Sequence, residues 1–178
     1  VNYMMNKDLG FSGDQMIRIP YNLPDFRTKT DKYQTAKQEI AKIKGVSQVS
    51  TGAFSFVTGG ATSVTFTYHD KNIHSYNMAV DFGMLEMLKI KMTQGRYFDS
   101  RISSDSINTM MINETAMKQM NEKNPVGKII NWNDHKLKII GVVKDFNLWG
   151  PKAEIPPMVF FHLNTIDWMN ANVNHIFV

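Results

Sequence analysis

Asp145 is the side chain most suggestive of a catalytic position, because it directly follows a long apolar run. It lies in the stretch IIGVVKDFNLWGPK, residues 139–152, where Lys144-Asp145 ends a predicted strand. A carboxylate at a strand exit can act as a general acid or base, or it can accept backbone N–H groups two residues further on in an Asx turn. No histidine lies beside it in the sequence. We therefore interpret Asp145 as a turn residue without a catalytic role.

The remaining acidic and imidazole side chains form no recognisable catalytic or metal-binding pattern. Asp81 precedes a short helical pattern and is predicted to cap that helix. Glu114 lies in the first turn of another predicted helix, where its negative charge interacts favourably with the helix dipole. Zinc needs three or four converging ligands, but the histidines include neither an HExxH motif nor a helical pair four residues apart. We interpret these as surface or strand residues: His69, His74, His135, His162 and His175.

Other hydrolase or nucleotide motifs are incomplete. Ser55, in TGAFSFVTGG, lacks the GxSxG frame of a nucleophile elbow. The Gly-Lys of NPVGKII lacks the upstream glycine and the following Ser or Thr of a phosphate loop. A glycosidase needs two carboxylates in one cleft, and sequence spacing alone pairs none of Asp81, Glu86, Asp99, Asp105, Glu114 and Asp145. The sequence thus predicts no catalytic residue, no cofactor and no metal site.

Composition indicates a globular domain and excludes several functional classes. The chain has 178 residues, of which 43% are hydrophobic and 20% charged, and this length can bury a core without disulfides. The absence of cysteine excludes thiol catalysis and thiolate metal sites. The formal net charge is +4 with scattered basic residues, so nucleic acid is not a predicted partner. The thirteen methionines could suggest copper binding, but most occupy core-facing positions, which predicts core packing.

The first third of the chain predicts a strand, a helix and a second strand. Residues 14–20, DQMIRIP, alternate in polarity and end at Pro20. A helix is predicted from Asp31 to Lys44, with Thr30 as its cap and Gly45 closing its end. Its apolar stripe consists of Tyr33, Ala36, Ile40 and Ile43. Residues 46–54 form the second predicted strand, which gives a βαβ-like unit.

The rest of the chain predicts hairpins, short helices and further strands. The first hairpin has apolar alternation on both arms and a turn at residues 69–72. A strand at 109–112 leads into a helix capped by Asn113, with Ile112 and Met117 as a hydrophobic staple. A second hairpin joins residues 128–132 to 136–143, and a further strand covers 156–163. Residues 167–172 suggest a helical turn.

The strand at residues 136–143 is predicted to be central, because apolar side chains fall on both of its faces. Simple alternation places Leu137, Ile139 and Val143 on one face and Ile140 and Val142 on the other. Gly141 is expected to mark a bulge or a close backbone approach. The aromatic residues after Asp145 are expected to fold back over an open sheet edge.

Five blocks in series resemble the MacB/FtsX-type ABC-transporter permeases. NKDLGFSGDQMIRIP resembles the segment after the first transmembrane helix of that family, and QEIAKIKGVSQVS is similar to its first helix and second strand. VDFGMLEMLKIKMTQGRYF, MMINETAMKQM with NPVGKII, and IIGVVKDFNLWG resemble three later family elements. Departures occur at Lys44, where proline is usual, and in DFNLWGPKAE. Together the blocks are similar to the MacB-like periplasmic core domain.

The resemblance implies an α+β fold with two subdomains and a membrane-bound parent protein. A porter-like βαβ subdomain would comprise approximately residues 10–60 plus 173–178, and an inserted β-rich, Sabre-like subdomain approximately residues 61–172. The whole chain, residues 1–178, would be one extracytoplasmic core domain on the periplasmic side of the inner membrane. Membrane helices are expected on both sides of it in a multi-pass parent.

The resemblance also implies a function without catalysis in this domain. Such permeases are powered by a separate cytoplasmic ATP-binding subunit, whose cycle the extracytoplasmic domain couples to outside work by mechanotransmission. Implied partners are a periplasmic adaptor, a lipoprotein, a peptide or a cell-wall regulator, with a permease dimer in the parent.

Two other functional classes stay open on sequence grounds. A free-standing ligand- or glycan-binding module could use Trp132, Trp149 and Trp168 as an aromatic platform, although these residues could equally lie in the core. A hydrolase using Asp145 or a serine is the weaker alternative, because it would require a base beside the nucleophile.

Overall fold

The computed structural model describes residues 10, 12, 16–21, 29–52, 62–147, 154–166 and 175–178. Among them no helix is long and apolar enough to cross a bilayer. The elements are β1 Arg18–Pro20, α1 Lys29–Ala41, β2 Ser50–Thr51, β3 Thr62–Tyr68, β4 Lys71–Val80, α2 Met84–Met87, β5 Met92–Gly95, a 3₁₀ helix Ser103–Ser106, β6 Thr109–Asn113, α3 Glu114–Gln119, β7 Ile129–Trp132, β8 His135–Val143, β9 Met158–His162 and β10 His175–Phe177.

These strands form two sheets, and the fold is α+β. The smaller sheet has the order β1-β10-β2 with both pairings antiparallel, so β1 and β2 run parallel with β10 between them. The larger sheet has the order β5-β8-β6-β9-β4-β3-β7, and β7 also pairs with β8. Six of its strands therefore close into a barrel, and β5 extends the edge of β8. The predicted βαβ unit is thus split by a strand from the far end of the chain, while the predicted subdomain boundaries stay a prediction.

The barrel interior and its outer face form separate cores. The interior combines aliphatic side chains with Phe66, Phe161 and Trp132, and it is closed by Ala116 of α3 and by Met120, which directly follows that helix. The outer core packs α2, Phe146 and Phe98 against β4, β9 and the end of β8. A third, smaller core joins Tyr33 of α1 to the small sheet. Methionines fill these cores as predicted, and those buried are Met78, Met84, Met110, Met111, Met120 and Met158.

The bulge at Gly141 corrects the predicted faces of β8. The register of β6 against β8 slips by one residue, because Met110 opposes Ile139 whereas Met111 opposes Gly141. A bulge exchanges the faces of all later residues, so Val142 joins Leu137 and Ile139 inside the barrel while Val143 lies in the outer core. The backbone at Gly141 also lies close to the backbone at Arg96, since a Cβ on Gly141 would be 2.5 Å from the Arg96 carbonyl oxygen.

The boundaries of α1 and of the first hairpin differ from those predicted. Helix α1 begins at Lys29, so Thr30 lies within it and is not its cap, and it ends at Ala41, which leaves Ile43 outside and 59% exposed. Gly45 has the predicted left-handed conformation, with a φ of 94°, but it lies four residues after the end of α1 and does not close the helix. The hairpin turn is shorter than predicted, because residues 71 and 72 belong to β4. Positive φ angles at His69 and Asp70 fit a tight two-residue turn.

The Asn113 cap is confirmed, and it has a second function. Its side-chain oxygen accepts the backbone N–H of Ala116 at 2.9 Å, as an N-cap should, and also that of Met158 at 2.9 Å. The same amide donates to the Pro156 carbonyl oxygen at 2.9 Å. One side chain thereby fixes the start of α3 against β9. The predicted helical turn at residues 167–172 lies outside the described residues.

Candidate functional site

The small sheet joins the barrel at the turn that follows β4. The backbone N–H of Asp81 donates to the Thr51 carbonyl oxygen at 2.8 Å, and Gly52 and Val80 form an antiparallel bridge. Two side chains before and within β2 also reach this turn. Ser50 Oγ donates to the Phe82 carbonyl oxygen at 3.1 Å, and Gln48 Nε2 donates to that of Gly83 at 2.8 Å.

Asp81 lies at the centre of this junction, which we call the polar junction: Tyr33, Lys37, Asp81 and His162. Tyr33 Oη donates to one oxygen of the buried Asp81 carboxylate, and Lys37 Nζ donates to the same oxygen at 2.7 Å. The other oxygen accepts the Phe82 backbone N–H at 2.8 Å. The carboxylate of the barrel is therefore held by two side chains of α1, which belongs to the small-sheet side.

The predicted role of Asp81 as a helix cap is wrong. The N-cap of α2 is Gly83, with a φ of 80° and no capping side chain. The sequence favoured a cap because Asp is common at that position and the side chains that contact Asp81 lie 44 to 81 residues away. A buried carboxylate needs such partners, since an unpaired charge in the interior is strongly destabilising.

Burial and ion pairing shift the pKa of the Asp81 carboxyl in opposite directions. Burial alone would raise the pKa of its carboxyl, but His162, Lys37 and Tyr33 together lower that pKa to about 2. The pKa of the Tyr33 hydroxyl is raised by burial and by the adjacent Asp81 charge. At neutral pH the Asp81 carboxylate is therefore ionised and the Tyr33 hydroxyl is neutral, and Lys37 and His162 complete the polar junction.

His162 supports Asp81 from the barrel side. It is 2% exposed, and its Nδ1 accepts the Asn164 backbone N–H at 3.2 Å. In the neutral ring the proton then lies on Nε2, which is 3.4 Å from Asp81 Oδ1. The Phe82 ring covers the imidazole with its centroid 4.1 Å away. His162 is a strand residue, as predicted, but it is a core residue and a member of the polar junction.

Asp145 does not form the predicted Asx turn. Its carboxylate accepts the backbone N–H of Thr115 at 2.9 Å and the Thr115 hydroxyl at 2.8 Å, and its own N–H donates to Glu114 at 3.1 Å. It therefore binds the first turn of α3 to the exit of β8. Lys118 Nζ is 3.9 Å away and 71% exposed, so the contacts of Asp145 are those of a structural residue.

A second buried carboxylate was missed in what the sequence presents as a polar loop. Asp105 is fully buried and binds Arg96 with two parallel contacts, one of them 2.9 Å from Nη2 to Oδ1. It also accepts the Asp99 backbone N–H at 2.9 Å. This pair ties the segment after β5 to the 3₁₀ helix, and only the arginine-to-aspartate spacing of nine residues could have suggested it.

The other candidate residues do not converge on a reactive centre. Trp132 is buried and stacks on Phe161 at 5.3 Å between ring centroids, so it is not an accessible platform. Ser55, Trp149 and Trp168 lie outside the described residues. Within the described part of the chain, no group of three or more His, Cys, Asp or Glu residues could hold a metal ion.

A family model and a curated protein both match this chain. The model of the MacB-like periplasmic core domain matches residues 1–178. Over 129 residues the chain is 27% identical to the macrolide export ATP-binding/permease protein MacB of Bdellovibrio bacteriovorus. The aligned region covers 72% of this chain and 18% of that protein. The chain thus spans less than a fifth of the length of this relative.

Solved structures share the fold at low sequence identity. The periplasmic region of MacB from Actinobacillus actinomycetemcomitans has a TM-score of 0.64 at 17% identity, over 99% of this chain and 78% of that one. The extracellular domain of the noncanonic ABC-type transporter YknZ from Gram-positive bacteria has a TM-score of 0.62 at 18% identity, over 92% and 82%. A domain of a putative permease from Porphyromonas gingivalis has a TM-score of 0.56 at 18% identity, over 80% and 64%.

The whole-chain family match agrees with the shared α+β fold. The family consists of extracytoplasmic domains of transporter permeases and is not a catalytic enzyme family. The chain belongs to the family of MacB-like periplasmic core domains of ABC-transporter permeases.

Proposed function

We propose that this domain transmits movement from the membrane helices of its permease to structures outside the membrane, powered by a separate cytoplasmic ATP-binding subunit. The observation that carries the proposal is the pairing of β1 with β10, which brings the first and last described strands side by side. The Ile17 N–H donates to the Val178 carbonyl oxygen at 2.8 Å, and the Val178 N–H donates back to Ile17 at 2.9 Å. A pull on either strand is therefore shared by both.

The polar junction carries that movement into the barrel. Backbone bonds at Asp81, the Lys37–Asp81 ion pair and the burial of Phe177 in the outer core hold the small sheet to the turn after β4. Closely packed protein interiors are hardly compressible, so a displacement of one element is transmitted to the elements packed against it. The barrel is closed through β7 and therefore has few free strand edges. A closed barrel moves as one rigid body, which suits the transmission of movement better than it suits catalysis.

The test follows the barrel tip in the reconstituted permease with its ATP-binding subunit. A Lys71→Cys label reports the tip, because Lys71 is exposed at the start of β4, at the opposite end of that strand from Asp81, and this chain has no native cysteine. Energy transfer from this label to a dye at the lipid surface should change when ATP is added. With Asp81→Asn, ATP hydrolysis should continue while the tip responds less, because the junction is weakened.

A matched control separates coupling from general damage. Glu39→Gln removes an exposed carboxylate whose partner Lys42 is also exposed, and it should leave the tip response unchanged. A tip that stays still while the intact permease hydrolyses ATP would refute transmission. Equal responses in the Asp81→Asn and unaltered permeases would show that the polar junction does not carry the movement.

A further inference from the structure

A cleft of about 550 Å³ opens beside the polar junction and is lined by residues from the small-sheet side and from the barrel side. Lys37 and Gln48 line it from the small-sheet side, while Phe82, Glu86 and Tyr97 line it from the barrel side. This volume lies in the range of small-molecule sites. A molecule held there would touch both structural units.

Among the described residues, each cation that lines the cleft already has a carboxylate partner. The pairs are Lys37 with Asp81, Arg96 with Asp105, and Arg101 with Asp99. Glu86 is a fourth carboxylate in this group, and no described Lys, Arg or His nitrogen lies within 4 Å of it. The described lining itself contains three cations and two carboxylates, Glu86 and Asp99. The buried partners Asp81 and Asp105 lie behind this lining, and when they are included the seven groups carry a formal charge of −1, which is located at Glu86.

The surroundings of Glu86 favour a positively charged ligand. Glu86 is an exposed residue, and partial burial of its carboxyl raises the pKa of that group. Burial followed by the Glu86 charge raises the pKa of the Tyr97 hydroxyl. The Tyr97 hydroxyl donates to the Ile90 carbonyl oxygen at 2.5 Å, so its own oxygen remains an acceptor. Phe82 and Tyr97 are half-buried and expose part of their aromatic surface.

We propose that this cleft binds an organic cation, with an ammonium at Glu86 and an apolar body against Phe82 and Tyr97. The ammonium would donate to the carboxylate and to the Tyr97 oxygen, and charge-assisted bonds of this kind are about twice as strong as neutral ones. An anion is the less suitable ligand, because the guanidinium groups of the cleft are engaged. The proposal is independent of mechanotransmission and is tested by binding alone.

The test is a titration of the 178-residue chain with benzylammonium, followed by amide NMR shifts. We expect a Kd of roughly 1 mM for a ligand of this size, with shifts at Phe82, Glu86 and Tyr97. Glu86→Gln should weaken binding about tenfold. Glu154→Gln, an exposed carboxylate outside the cleft lining, should leave the Kd unchanged.

A variant that is expected to bind more tightly keeps the test informative if Glu86→Gln fails to fold. Ser100 is exposed and lines the cleft, so Ser100→Asp should strengthen benzylammonium binding a fewfold. Benzyl alcohol, which is neutral and of similar shape, should bind more weakly. The proposal is overturned if benzoate binds as tightly as benzylammonium, if Glu86→Gln leaves the Kd unchanged, or if the shifts map elsewhere.

Discussion

Replacing Asp81 with asparagine tests whether the polar junction stabilises the fold. The asparagine would keep the side-chain shape but remove the charge that Lys37 pairs with, and it would place an amide donor among other donors. Lowering the carboxyl pKa from 3.8 to about 2 corresponds to about 2.5 kcal/mol in favour of the ionised form. The misplaced amide adds about 1 kcal/mol, so we expect a loss of about 3.5 kcal/mol at pH 7.

The assay is urea unfolding at pH 7, repeated at falling pH. Because the pKa of Asp81 is lowered by folding, its stabilisation is present above the ordinary pKa near 3.8 and disappears as pH falls toward 2. The difference between Asp81→Asn and the unaltered chain should therefore shrink over that window. Glu39→Gln, in an exposed ion pair, should cost less than about 0.5 kcal/mol.

Two results would refute this reasoning. A loss below about 1 kcal/mol at pH 7 would mean that the buried ion pair contributes little beyond its desolvation cost. A difference that stays constant down to pH 2 would mean that the loss comes from the shape of the amide and not from the charge. A double-mutant cycle with Lys37→Met should give a coupling of about 1–3 kcal/mol.

Three further predictions concern the rest of the domain. Asp145→Ala should lower stability by about 1–2 kcal/mol through the lost bonds to Thr115, and an unchanged melting temperature would contradict its structural role. Gly95→Ala should destabilise by more than about 2 kcal/mol, because its φ is 71° and a Cβ would lie 2.1 Å from the Ile140 carbonyl oxygen. Gly127→Ala, with a φ of 92° and open space, should cost only about 1 kcal/mol, and equal losses for the two glycines would rule out the clash. Calorimetry of the chain with Mg-ATP should show no saturable heat, because no phosphate loop is present, whereas micromolar binding would contradict this.

Local sequence patterns were sufficient for most elements of the fold. Alternating apolar residues located β3 and β8, and Asn113 followed by a helical pattern located the start of α3. These predictions succeeded because strand pleat, helix period and capping depend on residues only a few positions apart. The resemblance of five ordered blocks identified the family, which the whole-chain match confirmed.

Only the tertiary structure decided which distant residues meet. Strand β10 separates β1 from β2, and β7 closes the barrel by pairing with both β3 and β8. Asp81 resembled a helix cap in sequence, yet Tyr33, Lys37 and His162 surround it from 48, 44 and 81 residues away. The bulge at Gly141 moved Val142 and Val143 to opposite faces from those that alternation assigns. A pattern of neighbouring residues cannot encode such contacts, because they arise when separate elements bury their apolar faces together and the enclosed charges must then find partners.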